Sequence, residues 1–277
     1  MIDAHHHLWR LSRGDYGWLT PDLKPLYRDF DPADLAPLLA AAGVTGTVLV
    51  QAAPTQAETE HLLAIAEAWP MVRAVVGWTD LSDAQAPARI EALAARPRLA
   101  SLRPMLQDEP DPAWMLQASV GCALSAMAAA ELRLDALIRP SQLPALIELV
   151  DRHPDLAVVV DHAAKPQIAA GGFQPWAARM AELARRPQVS CKLSGLLTEA
   201  GDRTNDRDLT PYVDHLLASF GPSRLMWGSD WPVLLLAGDY AGWSAQSRRL
   251  VARLSANEQA LIFGGAAASF YGLETLS

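Results

Sequence analysis

Apolar residues alternate along this chain between two patterns. Short runs rich in valine, isoleucine and leucine fall at Ile2–Leu8, Val44–Ala53, Val72–Thr79, Leu99–Met105, Leu132–Ile138, Ala157–Ala163, Val189–Leu193 and Arg224–Ser229. Longer segments of helical spacing separate them, at Asp31–Gly43, Gln56–Trp69, Ala84–Arg96, Pro112–Glu131, Ser141–His153, Gln174–Arg186 and Leu209–Phe220, with Tyr240–Leu254 and Asn257–Phe263 closing the series. Short, nearly continuous apolar runs that alternate with amphipathic helices predict parallel strands joined by crossover helices. End signals agree with the pattern. Pro32 follows Asp31 as a first-turn proline follows its cap, Gly43 and Gly221 sit where helices should stop, and Pro70, Pro97 and Pro154 bar continuation.

Eight such units in 277 residues predict a single-domain α/β (β/α)8 TIM barrel spanning residues 1–277. The rival is an open doubly wound sheet. No GxGxxG and no phosphate loop opens a helix here, which favours the closed form. The long connection from Leu8 to Asp31 carries Tyr16, Trp18, Tyr27 and Phe30, so it is expected to be ordered and to cover one end of the barrel. Like the Gly171–Gly172 and Glu199–Asp208 segments it follows a strand, which places it on the catalytic face.

Composition narrows the function. A chain of this size with 51% hydrophobic residues buries a core that needs no structural metal, so any bound metal is expected to be catalytic. Cys122 and Cys191 form no metal-ligand spacing and read as reduced thiols of a cytoplasmic protein. The first residues show no signal-peptide pattern, and no apolar stretch is long enough to span a bilayer. A net charge of −8 without a basic, aromatic-interleaved run argues against nucleic acid, although a local cationic pocket for a small acidic ligand stays compatible. A monomer and a homodimer both remain open.

In this fold chemistry belongs to the C-terminal ends of the strands. The polar residues expected there are His5 and His7, Arg103, Asp161 and His162, Lys192 and Asp230. His5 and His7 share one side of a strand and suit one divalent ion, whereas His6 alternates away. One of Asp161 and His162 should face the mouth, because both end an aliphatic run. Asp230, next to Gly228 and Trp231-Pro232, is a carboxylate among cations that could bind metal, activate water or do both; a helix cap is its plainer role. Arg103 and Lys192 interrupt apolar strands, where an unpaired charge is costly. They should either meet a substrate oxygen or form internal ion pairs with Asp80, Asp161 or Asp230. Gln51, Trp78, Arg139 and Lys165 are weaker candidates of the same kind. His61, His153 and His215 fall on helices and receive no role.

The segments IDAHHHLW, LASLRPMLQDEPD, VVVDHAAKP, VSCKLSGL and RLMWGSDWPV, in that order, resemble the amidohydrolase-2 group of the amidohydrolase superfamily. The nearest likeness is to its sugar-lactonase branch, which includes fuconolactonases, rhamnonolactonases and pyrone-dicarboxylate lactonase. That resemblance implies a metal or substrate role for His5 and His7, an active-site role for His162, and general-base duty for Asp230. It further implies substrate contacts from Arg103 and Lys192, to which Trp231 is added as a neighbour of the base. Binuclear members use a lysine on strand four and a histidine on strand five. This chain has Arg103 and no strand-five histidine, which argues against two metals.

The expected cofactor is one divalent ion, zinc first, held by His5, His7, His162 and Asp230, with metal-free polarisation by the imidazoles as the alternative. The implied reaction is hydrolysis of a small-molecule sugar lactone. Metal-dependent decarboxylation of an aromatic acid is the rival, and a silent sugar- or acid-binding barrel the third reading.

Overall fold

A computed structural model describes residues 1–273. Its eight strands are β1 (Ile2–His6), β2 (Gly46–Val50), β3 (Val72–Gly77), β4 (Leu99–Leu102), β5 (Arg133–Ala136), β6 (Val158–Val160), β7 (Val189–Leu193) and β8 (Leu225–Trp227). They pair in sequence order and in parallel. Helices α1 (Pro32–Ala42), α2 (Gln56–Ala68), α3 (Ala86–Ala94), α4 (Ala118–Ala129), α5 (Leu143–Arg152), α6 (Trp176–Leu183), α7 (Asp206–Phe220) and α8 (Tyr240–Leu250) follow the successive strands. This is the expected (β/α)8 barrel.

The cylinder closes between β1 and the residues after β8. His7 N donates to Trp231 O at 2.7 Å, and Asp230 N donates to His5 O at 2.8 Å. The buried Asp3 carboxylate pins this seam, accepting from Ser229 N (2.8 Å), His5 N (3.2 Å) and the Tyr240 hydroxyl (2.9 Å). Gly228 permits the approach, since a Cβ there would lie 2.8 Å from His5 Cβ.

Strand alternation divides the core. Leu49, Val75, Leu134, Val158, Leu193 and Trp227 pack into the layer beneath the helices. Val48, Val50, Ala74, Val76, Val159 and Met226 belong to a smaller cluster, which Ala266, Ala267 and Tyr271 join. Those last three come from α10 (Ala266–Tyr271), which follows α9 (Ala256–Ala260) and packs by the start of β5. The sequence pattern shows one helix, Asn257–Phe263, because Gly264-Gly265 breaks the helical period before α10 begins.

Two other boundaries move for local reasons. β6 stops at Val160, as the next residues enter a left-handed turn, and α7 starts a turn early because Asn205 caps it by accepting from Asp208 N. The Leu8–Asp31 connection is ordered as expected. Trp9 and Phe30 exchange backbone hydrogen bonds (3.1 and 2.9 Å), and the Trp18 indole donates to Ala52 O at 2.7 Å, laying the loop over the C-terminal mouth. Among the described residues no helix is long and apolar enough to cross a membrane.

Candidate active site

At the C-terminal mouth, β1 delivers His5 and the residue just past its end is His7, the turn after β6 delivers His162, and the turn after β8 delivers Asp230. Asp230 Oδ1 lies 3.5 Å from His7 Nε2, 3.7 Å from His5 Nε2 and 3.8 Å from His162 Nε2. His5 and His7 Nε2 are 3.2 Å apart. Asp230 has φ of 58°, so its backbone sits in the left-handed region that turns the carboxylate back into the barrel. His162 is fixed from behind by Ser194 Oγ, 2.9 Å from Nδ1, and Gly195 (φ 64°) makes room for its ring: a Cβ there would lie 2.7 Å away.

Burial sets the charge states. Desolvation depresses all three imidazoles, His5 far below its usual value, His7 below it, and His162 down to about 4. They are therefore neutral at pH 7. Burial alone would raise Asp230, but His162, His7 and Lys165 hold its carboxyl below the ordinary range, so it is ionised.

A second polar layer lies beneath. Lys192 Nζ contacts Asp135 Oδ2 at 2.5 Å, Asp161 Oδ1 at 2.9 Å and His5 Nδ1 at 3.0 Å, with no solvent exposure. Asp135 also accepts from Ser101 (2.6 Å) and from the Tyr271 hydroxyl (2.7 Å). Arg103 meets Asp161 Oδ2 at 3.3 Å and donates to Gln51 O, while Gln51 Nε2 returns a hydrogen bond to Arg103 O at 2.7 Å. Burial would raise Asp161, yet Lys192, His5 and Arg103 hold it well below the usual carboxylate range.

Two of the residues expected at the site, Lys192 and Trp231, lie away from the cavity. Lys192 does not line the cavity: it takes the internal pairing, with Asp161 and with Asp135, a partner the sequence reading missed. Asp135 carries the same signal that marked Arg103 and Lys192, a charge inside the apolar run Leu132–Ile138. Trp231 is buried against Phe30, with ring centroids 5.1 Å apart, and serves the barrel seam rather than the cavity. Arg139 is exposed and Trp78 is held by Thr59 through its backbone, so neither joins the site.

The cavity above these groups has a volume of about 340 Å³. His7, Arg103, His162 and Asp230 face it, and His5 lies just beneath. Trp18, Val233 and Leu236 supply apolar surface, whereas Gln107, Asp108, Lys165, Thr198 and Glu199 supply polar surface. Of the weaker candidates, Lys165 belongs to the cavity and Gln51 to the support of Arg103. Sequence reasoning had no signal for Trp18, Thr198 or Glu199 beyond their position on loops after strands.

The donors suit one metal ion. The ligand atoms of His5, His7 and Asp230 lie within 4.8 Å of one another, as do those of His5, Asp161 and His162. A nitrogen-rich set with one carboxylate, facing a cavity, matches the chemistry of catalytic zinc. His7 is already oriented, since its Nδ1 donates to Val50 O at 2.7 Å and leaves the Nε2 lone pair free. His5 is not: an ammonium can only donate, so contact with Lys192 puts the proton of neutral His5 on Nε2. Zinc would need that proton moved to Nδ1, where Asp161 Oδ1 waits at 3.5 Å.

The amidohydrolase family model matches residues 2–273. The chain belongs to this family. An L-fucono-1,5-lactonase of Burkholderia ambifaria is 47% identical over 99% of this chain and 96% of its own length. The crystal structure of a Burkholderia multivorans amidohydrolase with bound zinc is 38% identical, covers 99% of both chains and superposes with a TM-score of 0.93. A 5-carboxyvanillate decarboxylase of Sphingomonas paucimobilis, at 16% identity and TM-score 0.68, shares the fold alone.

Proposed function

We propose that this amidohydrolase hydrolyses a sugar lactone, with Asp230 as general base. One observation carries the mechanism: of the carboxylates that line the cavity, Asp108, Glu199 and Asp230, it is Asp230 that sits within 4 Å of three neutral imidazoles, and it is ionised. The curated lactonase relative supports the substrate class.

Asp230 takes a proton from water as its oxygen attacks the lactone carbonyl. Arg103, a cation that lines the cavity, stabilises the oxyanion that develops, the charge whose stabilisation usually contributes most. The ring C–O bond then breaks, and the departing ring oxygen takes the proton back from Asp230, leaving an open hydroxy acid. The His7 and His162 rings lie within 4 Å of Asp230 and, with their basicity depressed by burial, do not compete for the transferred proton. A zinc ion, when bound by His5, His7, His162 and Asp230, would act as a Lewis acid on the carbonyl. The decarboxylase reading has no observation of its own in this site. Cytoplasmic location, as a monomer or homodimer, accords with two free cysteines.

The test is pH-indicator turnover of an aldono-lactone panel, with protein as isolated and after chelation with zinc or manganese restored. Acid release without gas is expected, and Asp230→Asn should lower kcat about 10²–10⁴-fold. Full activity in that variant would overturn the mechanism.

A further inference from the structure

Residues His162, Ala163, Ala164 and Lys165 have φ of 51°, 51°, 57° and 52°: four consecutive residues, none of them glycine, in the left-handed region. Each such residue is strained, and a run of them persists only where the surroundings enforce it. They do so here. Lys165 N donates to His162 O at 2.8 Å, the Trp176 indole donates to Ala163 O at 2.7 Å, and both alanines are fully buried. The turn brings positions 162 and 165 to the same cavity, so that one strained unit presents both an imidazole beside Asp230 and an ammonium farther out.

The Lys165 ammonium has a loose partner. Its Nζ lies 3.7 Å from Glu199 Oε1, beyond hydrogen-bond distance, and the two side chains are 23% and 28% exposed. A donor and an acceptor held apart on a cavity wall differ from the sealed pairs of Lys192, because a ligand can enter between them. The neighbouring Thr198 hydroxyl is spent on Gly195 O at 2.9 Å, whereas Lys165 and Glu199 have no direct side-chain hydrogen bond to any other group among the described residues. The same cavity also presents the apolar surface of Trp18, Val233 and Leu236.

We propose that Lys165 and Glu199 read the hydroxyl groups of the substrate, Lys165 donating to and Glu199 accepting from adjacent hydroxyls of a polyhydroxylated ring, and that the left-handed turn sets Lys165 in register with His162. This rests on the lactonase reading for the ring's identity. The pair is a specificity determinant; the pull of Lys165 on the Asp230 carboxyl acts equally on every lactone and therefore cancels in a ratio of two substrates.

The experiment compares wild type, Lys165→Met and Glu199→Gln on a polyhydroxylated aldono-1,5-lactone and on δ-valerolactone, which has the ester ring but no hydroxyls. Lys165→Met should reduce the ratio of the two kcat/KM values about ten- to hundredfold, the worth of a charge-assisted hydrogen bond, with the change mainly in KM for the hydroxylated lactone. Glu199→Gln, which keeps a carbonyl acceptor, should reduce it less. An unchanged ratio in Lys165→Met, including an equal loss on both substrates, overturns the proposal.

If wild type turns over neither lactone, the lactonase reading fails separately, and calorimetric titration with an aldonate against valerate decides the pair. Preference for the aldonate that Lys165→Met abolishes supports it. Absence of preference in wild type, or its persistence in the variant, overturns it.

Discussion

Replacing Lys192 by methionine removes the one cation among the described residues that touches both buried carboxylates, Asp135 and Asp161. The ammonium touches Asp135 at 2.5 Å and Asp161 at 2.9 Å, and all three side chains are fully buried. Arg103 remains for Asp161, at 3.3 Å, but Asp135 keeps only the neutral donors Ser101 and Tyr271. Removing one partner of a buried ion pair costs about 3–5 kcal/mol, mostly from the stranded charge rather than the lost attraction. For 277 residues the unfolding entropy is about 0.6 kcal/mol per kelvin, so Tm should fall by roughly 5–9 °C.

Calorimetry can read that drop directly. Burial already raises the Asp135 carboxyl, and without Lys192 it rises further, so the variant should lose more stability as pH increases from 5 to 8. Neutralising the stranded group in Lys192→Met/Asp135→Asn should restore much of the loss. A Tm within 2 °C of wild type for the single variant, or no recovery in the double one, would refute the assignment of Lys192 as an internal counter-ion.

Two further outcomes follow from particular contacts. Glu58 accepts from the amides of Ala52 and Ala53 in a buried position that raises its carboxyl to about 7 from 4.5. A raised folded-state value means stability present at pH 4.5 is lost as pH climbs through 7, up to about 3 kcal/mol, so Tm in wild type should fall over that window by roughly 5 °C more than in Glu58→Gln; parallel curves would contradict it. Gly195→Ala would force a Cβ against the His162 ring at a φ that disfavours side chains. Lactonase kcat should drop at least tenfold together with Tm, and unaffected turnover would show that His162 need not hold its place.

The barrel was legible because its signal is redundant. Eight apolar runs, intervening helical periods and glycine and proline stops all specify one topology, and the errors fall where that redundancy ends. β6 is shortened because the turn at 162–165 is strained, and no propensity announces four left-handed residues. α10 escaped because two glycines interrupt a helix that tertiary packing resumes. In the site, polar residues at strand ends were found because aliphatic residues would be cheaper there. Which of them face solvent and which face each other is a matter of depth along the strand: Lys192 and Arg103 carry the same signal, yet only Arg103 reaches the cavity. Glu199, Thr198 and Trp18 lie on loops, where residue type carries little information about direction.

Depth also decides how the chain would handle a metal. Starting from Lys192, which can only donate, the proton of neutral His5 belongs on Nε2, directed at His7 Nε2 3.2 Å away, and His7 passes its own proton to Val50 O. Every ring nitrogen in this row has a partner without an ion. Zinc binding at His5 must therefore break the Lys192 contact and shift a proton toward Asp161, and it must tolerate an ammonium next to the ligand. Lys192→Met removes both obstacles, so zinc affinity should rise about ten- to hundredfold, as judged by competition with a chromophoric chelator. Equal affinities in the two proteins would mean that Lys192 does not set the tautomer of His5, and that the metal preference of this site is decided by His7, His162 and Asp230 alone.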